Sequence, residues 1–309
     1  MEYVFGIDVG GTTVKIGLFT TDGTSVDKWE IPTNTSNGGK AILPDVAASL
    51  EEKMKERGID KASVKGAGIG VPGPVTDDGV VNHCVNLGWG IMHVTEELKA
   101  LTGFEVKAGN DANVAALGEV WKGGGRGYDN VLMITIGTGI GGGLILNGKI
   151  HGGVTGSAAE VGHICVNPLE TEPCNCGNCG CLEQVASATG ITFLAKRRLA
   201  KDETPSVLRK KNISAKSVFD AVKEGDAVAI EIAEEFGKYL GTALANVAGV
   251  TDPDIFVIGG GVSKAGPILL EFIQKYYKQY AFIACKETPF ALAELGNDAG
   301  IYGAAKLVL

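Results

Sequence analysis

Between Cys174 and Cys181 the chain reads Cys-Asn-Cys-Gly-Asn-Cys-Gly-Cys, four thiols within eight residues. Thiols at this spacing can surround a tetrahedral Zn²⁺, and the two glycines permit the tight reversals such a cage needs. A reduced surface loop of unliganded thiols accounts for the clustering less well, and spacing alone leaves the ligand set open. Upstream stands Glu160-Val161-Gly162-His163, and just beyond the cysteines stands Glu183. Two carboxylates and an imidazole are suited to bidentate recognition of vicinal hydroxyls. Glu183 reads equally well as an acid at a helix N-terminus, stabilised by the helix dipole.

Three glycine turns offer anion chemistry. Asp8-Val9-Gly10-Gly11-Thr12-Thr13, with Lys15 close behind, places a carboxylate at a strand end before two glycines and two hydroxyls. Glycines let backbone amides approach a phosphate, hydroxyls add donors, and the acid can hold water around Mg²⁺; the plain alternative is an ordinary hairpin turn. Gly137-Thr138-Gly139-Ile140-Gly141-Gly142-Gly143 repeats the arrangement, and Gly259-Gly260-Gly261 supplies a third turn. None fits a P-loop. Gly137, Gly139 and Gly142 have dinucleotide-fingerprint spacing, but the apolar stretch that follows reads as a strand where that motif needs a helix. Asn110-Asp111 stands where a short strand meets a helix, which on local spacing alone makes the aspartate an N-cap.

The elements that position these residues alternate. Tyr3 to Asp8 and Val14 to Phe19 read as a hairpin around the first glycine turn, and Val64 to Val71 as a small-residue strand before Pro72-Gly73-Pro74. Val131 to Ile136 runs as an apolar strand into the second glycine turn, and Leu144 to Leu146 resumes it; Asp254 to Ile258 leads into the third. Helical spacing covers Ile42 to Arg57, Ala112 to Trp121, Ala227 to Ala248, Pro267 to Tyr280 and Ile301 to Leu309. Strand, glycine turn and strand thus occur twice, a weak internal repeat.

A chain of 309 residues with 45% hydrophobic residues can bury two medium domains, and no polar linker separates them, so the boundary is placed at Asn110. The 46 glycines fall in short clusters beside apolar runs, a pattern that suggests tight turns against ligands. A net charge of −8 offers no general attraction to nucleic acid or anionic lipid. With no export signal at Met1-Glu2-Tyr3-Val4-Phe5 and no apolar run long enough to span a bilayer, a soluble cytoplasmic protein with no membrane partner is expected. Cys84, Cys165 and Cys285 read as small buried apolar residues. His83, His93 and His151 read as surface residues, and Trp89 as either a sugar wall or core.

The order and spacing of Asp8-Val9-Gly10-Gly11-Thr12, Gly70-Val71-Pro72-Gly73, Asn110-Asp111-Ala112-Asn113, the Gly137 to Gly143 turn, Glu160-Val161-Gly162-His163, the cysteine cluster and Gly259-Gly260-Gly261 resemble the ROK family of sugar kinases and sugar-responsive repressors. Within that family the chain resembles the bacterial ATP-dependent glucokinases over essentially its whole length. The resemblance implies an α/β fold of the actin-like ATPase (ribonuclease H-like) class, with the active site in a cleft between two domains. Residues 1–110 and 298–309 would form the smaller domain, and 111–297 the larger one with the zinc-binding loop.

The implied activity is a glycolytic hexokinase using ATP and Mg²⁺. Asp111 would be the catalytic base toward the hexose 6-hydroxyl, and Asn110, Glu160, His163 and Glu183 would contact the sugar, with Asn86 and Gly73 contributing. Asp8, Gly10, Gly11, Thr12, Thr13, Lys15, Gly137, Thr138 and Gly139 would serve the phosphates, and Gly259, Gly260 and Gly261 the adenosine. His163, Cys174, Cys176 and Cys181 match the family's zinc positions, with Cys179 a bystander. Four protein ligands make such a zinc structural. Glucose is the expected hexose, with an N-acylhexosamine (ManNAc or GlcNAc) or mannose as alternatives, and a homodimer or homotetramer is implied. A sugar-sensing repressor is disfavoured, because only seven residues precede Asp8 where repressors carry a DNA-binding module.

Overall fold

The computed structural model describes residues 1–76 and 78–309. Strands β1 (Tyr3–Val9) and β2 (Thr13–Thr20) form the expected antiparallel hairpin, with Asp8 opposite Lys15. β3 (Ser25–Pro32) pairs with β2, β4 (Val64–Val71) lies parallel to β1, and β7 (Val106–Asn110) lies parallel to β4. A second sheet contains β8 (Val131–Ile136), β9 (Ile140–Leu146), β10 (Lys149–Ile150), β11 (Ile255–Gly259) and β12 (Phe290–Leu292). The strand orders are β3-β2-β1-β4-β7 and β10-β9-β8-β11-β12. They match position for position: an outer antiparallel pair on one side, and on the other two strands parallel to the centre. The repeat seen in the glycine turns is a duplicated sheet. A separate small pair joins β5 (Val80–Val81) to β6 (Met92–His93).

Among the described residues ten helices connect the strands: α1 (Ser36–Gly39), α2 (Ile42–Arg57), α3 (Val94–Thr102), α4 (Asp111–Lys122), α5 (Glu183–Ala186), α6 (Ala188–Lys201), α7 (Ala215–Lys223), α8 (Ala227–Thr251), α9 (Pro267–Tyr280) and α10 (Ala299–Leu307). α2 buries Ile42, Leu43, Val46 and Leu50 at helical spacing and ends at Gly58, whose left-handed conformation closes the last turn. These side chains meet Phe5, Ile7, Ile16 and Leu18 of the first sheet in one core that also takes in Trp89. Among the described residues no helix is long and apolar enough to cross a membrane.

Several glycines do a different job from the expected one of turning the chain beside a ligand. A Cβ on Gly6 would lie 1.9 Å from the Ile301 carbonyl oxygen, and one on Gly68 would lie 1.7 Å from that of Ala304. α10 therefore rests directly on the backbones of β1 and β4. The same helix meets α4 through Gly303, whose Cβ would stand 1.7 Å from Val114 O, and Gly118, whose Cβ would stand 2.2 Å from Ala299 O.

Two compact units emerge. The first comprises Met1–Asp129, Gly143–Ala158 and Glu294–Leu309, and the second Asn130–Gly142 and Ala159–Ala293. The division expected at Asn110 thus falls inside the first unit, because α4 is held to α10 by those glycine contacts. Each unit carries sheet and helix, a mixed α/β architecture in both.

Candidate active site and metal centre

In the first unit, the turn after β1 is closed by Gly10 N–H donating to Thr13 O at 3.0 Å. Thr33, just past β3, fastens it from the side: its amide donates to Thr12 O and its hydroxyl to Gly10 O at 2.7 Å. Nothing in the local sequence marked Thr33 for this. Gly11 has open space where a Cβ would be, and Gly11 and Thr12 are exposed, so the turn's tip is accessible. Asp8 is half-buried against α10, where a Cβ on Gly300 would come 2.6 Å from its carboxylate. Burial first, and the nearby charge of Asp111 second, raise the Asp8 carboxyl to about 6, with Lys15 pulling the other way. Lys15 donates to Asn297 O at 3.3 Å.

Asn110 ends β7 and caps α4. Its Oδ1 accepts from the amides of Ala112 and Asn113 at 3.1 and 3.2 Å, while its Nδ2 donates to Gly73 O and to Asp111 Oδ1, each at 3.0 Å. Those four bonds fill the amide's two donor and two acceptor positions. The N-cap role that local spacing offered to Asp111 therefore belongs to its neighbour. Asp111 is the first helical residue, and its Oδ1 also accepts from Ala112 N at 2.8 Å. Gly73 takes a left-handed φ of 94°. Asn86 is exposed in a short 3₁₀ turn, Val85–Leu87. Trp89 is core: it is 2% exposed, and its Nε1 donates to Gly39 O at 3.1 Å.

In the second unit, the turn between β8 and β9 is fixed by Gly137 N–H to Gly139 O at 2.9 Å and by the start of α6, where Ala188 N donates to Gly137 O at 2.8 Å and Thr189 Oγ1 to Thr138 O at 2.6 Å. Gly260, at φ 84°, lies so close to the end of β8 that a Cβ would reach within 2.6 Å of Ile136 backbone atoms, so this glycine is needed for packing whatever else the turn does. Glu183 opens α5, in keeping with its reading as a helix-terminal acid, and its side chain points in two directions. Oε2 accepts from Ile140 N at 3.4 Å, and Oε1 lies 3.0 Å from Cys174 Sγ and 3.8 Å from His163 Nδ1. The other His163 nitrogen, Nε2, is 3.9 Å from Glu160 Oε2. Glu160, His163 and Glu183 are thus brought together around one imidazole. Ala159, immediately before Glu160, holds a left-handed φ of 66°, an unusual conformation for a residue with a Cβ.

His163, Cys174, Cys176 and Cys181 present four ligand atoms all within 4.8 Å of one another. Cys176 Sγ and Cys181 Sγ are 3.6 Å apart, and Cys174 Sγ and His163 Nδ1 are 3.7 Å apart. A tetrahedral zinc with ordinary Zn–S and Zn–N bonds requires ligand separations of about 3.5–3.8 Å; two pairs stand at that spacing and the others lie within 4.8 Å, so the one imidazole and three thiols are a donor set that suits the ion. Burial raises the Cys174 thiol and pushes Cys181 up to about 12, whereas the Asn178 amide lowers Cys176. A cation would overcome that penalty by binding the thiolates directly. Cys179 is exposed and its Sγ faces Thr171 O at 3.6 Å, outside the four-atom group. Cys84 and Cys285 are buried as expected; Cys165 is exposed, contrary to that expectation, at an isolated bridge whose other member, Cys181, is buried.

Two sheets of one order and glycine turns at matching strand ends are the framework of a duplicated actin-like ATPase fold. The profile of the ROK family matches residues 4–309, and the chain belongs to that family. It is 44% identical over 313 residues to the glucokinase of Halalkalibacterium halodurans, covering 99% of this chain and 95% of that one. It is 30% identical over 318 residues to the N-acetyl-D-glucosamine kinase of Haemophilus influenzae, with 99% of each chain covered. Among solved structures it matches a ROK family glucokinase from Streptomyces griseus in complex with glucose and AMPPNP, with a TM-score of 0.74, 33% identity, and 99% and 98% of the two chains covered.

Proposed function

We propose that the chain is a glucokinase, transferring the γ-phosphoryl group of ATP to the 6-hydroxyl of D-glucose with Asp111 as general base. The observation that carries the assignment of the base is the junction of β7 and α4, where Asn110 caps the helix and holds Asp111 Oδ1, so that the carboxylate is oriented without being the cap. The full-length identity to a named glucokinase, higher than that to a hexosamine kinase, supports glucose as the substrate.

In this reading Asp111 accepts the proton of the 6-hydroxyl as that oxygen bonds to the γ-phosphorus; the bond from that phosphorus to the bridging oxygen breaks, and ADP leaves with the electron pair. Glu160, His163 and Glu183 hold the sugar hydroxyls, and Asn110, Gly73 and Asn86 are further contributors in this reading. The turns Gly10–Thr13 and Gly137–Gly139 would present amides to the phosphates, Asp8 would hold hydrated Mg²⁺, Lys15 would add positive charge, and Gly259–Gly261 would serve the adenosine. His163, Cys174, Cys176 and Cys181 would hold zinc. Such a closed four-ligand site supplies a cross-link, with no open position for chemistry. With Nδ1 on the metal side, His163 keeps Nε2–H as a donor toward Glu160 and a sugar hydroxyl. Seven unpaired thiols suit a reducing, cytoplasmic setting. A homodimer or homotetramer is carried over from the family and is testable by sedimentation.

The deciding experiment is ADP release, coupled to a spectrophotometric readout, over glucose, mannose, fructose, N-acetylglucosamine and N-acetylmannosamine. Glucose should give the highest kcat/KM. A higher value for either N-acyl sugar would replace glucose by a hexosamine as the substrate.

A further inference from the structure

We propose that Gly139 is a positioning residue for Glu183: its missing side chain makes the seat in which the carboxylate stands. The proposal rests on the reading of Glu183 as a hexose-binding group and gives that group its mechanical support. A Cβ on Gly139 would lie 2.5 Å from Glu183 Oε2 and 3.7 Å from its Cδ, well inside contact distance for the oxygen. The amide next in the chain, Ile140 N–H, donates to that same oxygen at 3.4 Å. The glycine turn therefore both leaves the space and supplies a donor, while Oε1 faces Cys174 and His163 on the far side.

What yields when the space is filled follows from which partner is free to move. The turn is tied at three places, by Gly137 N–H to Gly139 O, by Ala188 N–H to Gly137 O and by Thr189 Oγ1 to Thr138 O. Glu183 Oε2 is the end of a side chain with three rotatable bonds. A methyl group at position 139 thus displaces the carboxylate and leaves the fold in place. Gly137 supplies the comparison, since a Cβ there meets nothing nearer than Gly139 O at 4.0 Å.

The test is the glucose dissociation constant measured by calorimetry without nucleotide, so that any phosphate contacts of the turn do not enter. Gly139→Ala should weaken glucose binding about tenfold or more, as expected for displacing a charged hydrogen-bonding group, while Gly137→Ala should change it less than about threefold. Circular dichroism and melting should show both variants folded. Glu183→Asp draws the carboxylate back by one methylene, so in that background Gly139→Ala should cost less than about twofold, a coupling that only an effect acting through Glu183 produces. Equal losses from Gly139→Ala in both backgrounds, or no loss with Glu183 intact, would overturn the proposal. Glu183→Ala binding glucose as the parent does would instead overturn the role of Glu183 itself, a separate result from any behaviour of Gly139.

Discussion

Asp111 and Asp8 show how far a single side chain is governed by its neighbours. Because Asn110 supplies the helix cap, Asp111→Asn leaves the start of α4 intact. It should fold and bind glucose as the parent does, with kcat lowered about a hundredfold or more, the usual contribution of a general base. Steady-state turnover set beside calorimetric glucose binding checks both halves, and near-normal turnover removes Asp111 from the role. Asp8 carries a pH signature. Its proton is held to about pH 6 in the folded protein but released near 3.8 in the unfolded chain. Between those values the folded state binds more protons, so this group lowers stability as pH rises from about 4 to 6 and keeps it lowered above. Asp8→Asn removes the penalty. Without added Mg²⁺, urea unfolding should find the variant more stable than the parent by about 1–3 kcal/mol at pH 7 and by nearly nothing at pH 4.

At the scale of elements, the close seating of α10 on α4, β1 and β4 leaves no room for side chains at the crossing points. Gly303→Ala would drive a methyl group into Val114 O, 1.7 Å from the ideal Cβ, and either helix must shift. A loss of about 2–4 kcal/mol is expected, at or above the usual range for overpacking because backbone has to move. Gly249→Ala, exposed on α8 with nothing within 4 Å, should instead gain up to about 1 kcal/mol from helix propensity. Chemical denaturation of the pair decides whether contact or composition governs. The contrast also explains what could be read in advance. Strands 64–71 and 131–136 and helices 42–57 and 267–280 are strongly patterned and fall where their residues indicate. β3 was not evident, since its core-facing Val26 stands out of step with Trp29 and Ile31 where the pairing with β2 shifts register, so that only Trp29 and Ile31 alternate with polar residues, and β12 is only three residues long. α7 opens with a Ser214–Ser217 capping box lacking the acidic residue that usually signals one. The cysteine cage was legible because its members are close in sequence. The meeting of Gly139 with Glu183, the hold of Thr33 on the first glycine turn and the division of labour between Asn110 and Asp111 were not, because each depends on tertiary contacts that local spacing does not encode.

For the whole molecule, the repeated sheet puts a glycine turn at the same place in each unit, and the two turns have different attachments. Thr33 fastens the first turn, while the second is fastened by the start of α6 and by Glu183, which also reaches the cysteine cage. All four proposed zinc ligands belong to the second unit, and so do Glu160, Glu183 and the Gly137–Gly142 segment. Zinc removal should therefore loosen a connected set of segments and spare the first unit. With metal loss verified by elemental analysis, hydrogen–deuterium exchange should rise over 159–187 and at the β8–β9 turn, with amides of β1, β2, β4 and α10 unchanged. Glucose binding should weaken and the melting temperature fall in the same preparation, because the proposed cross-link would orient His163 as well as close the loop. Cys181→Ser should reproduce all three effects, and Cys179→Ser none of them. Unchanged glucose affinity in zinc-free protein would separate the cage from the sugar-binding residues, and exchange rising equally across both units would show that the metal stabilises the chain as a whole.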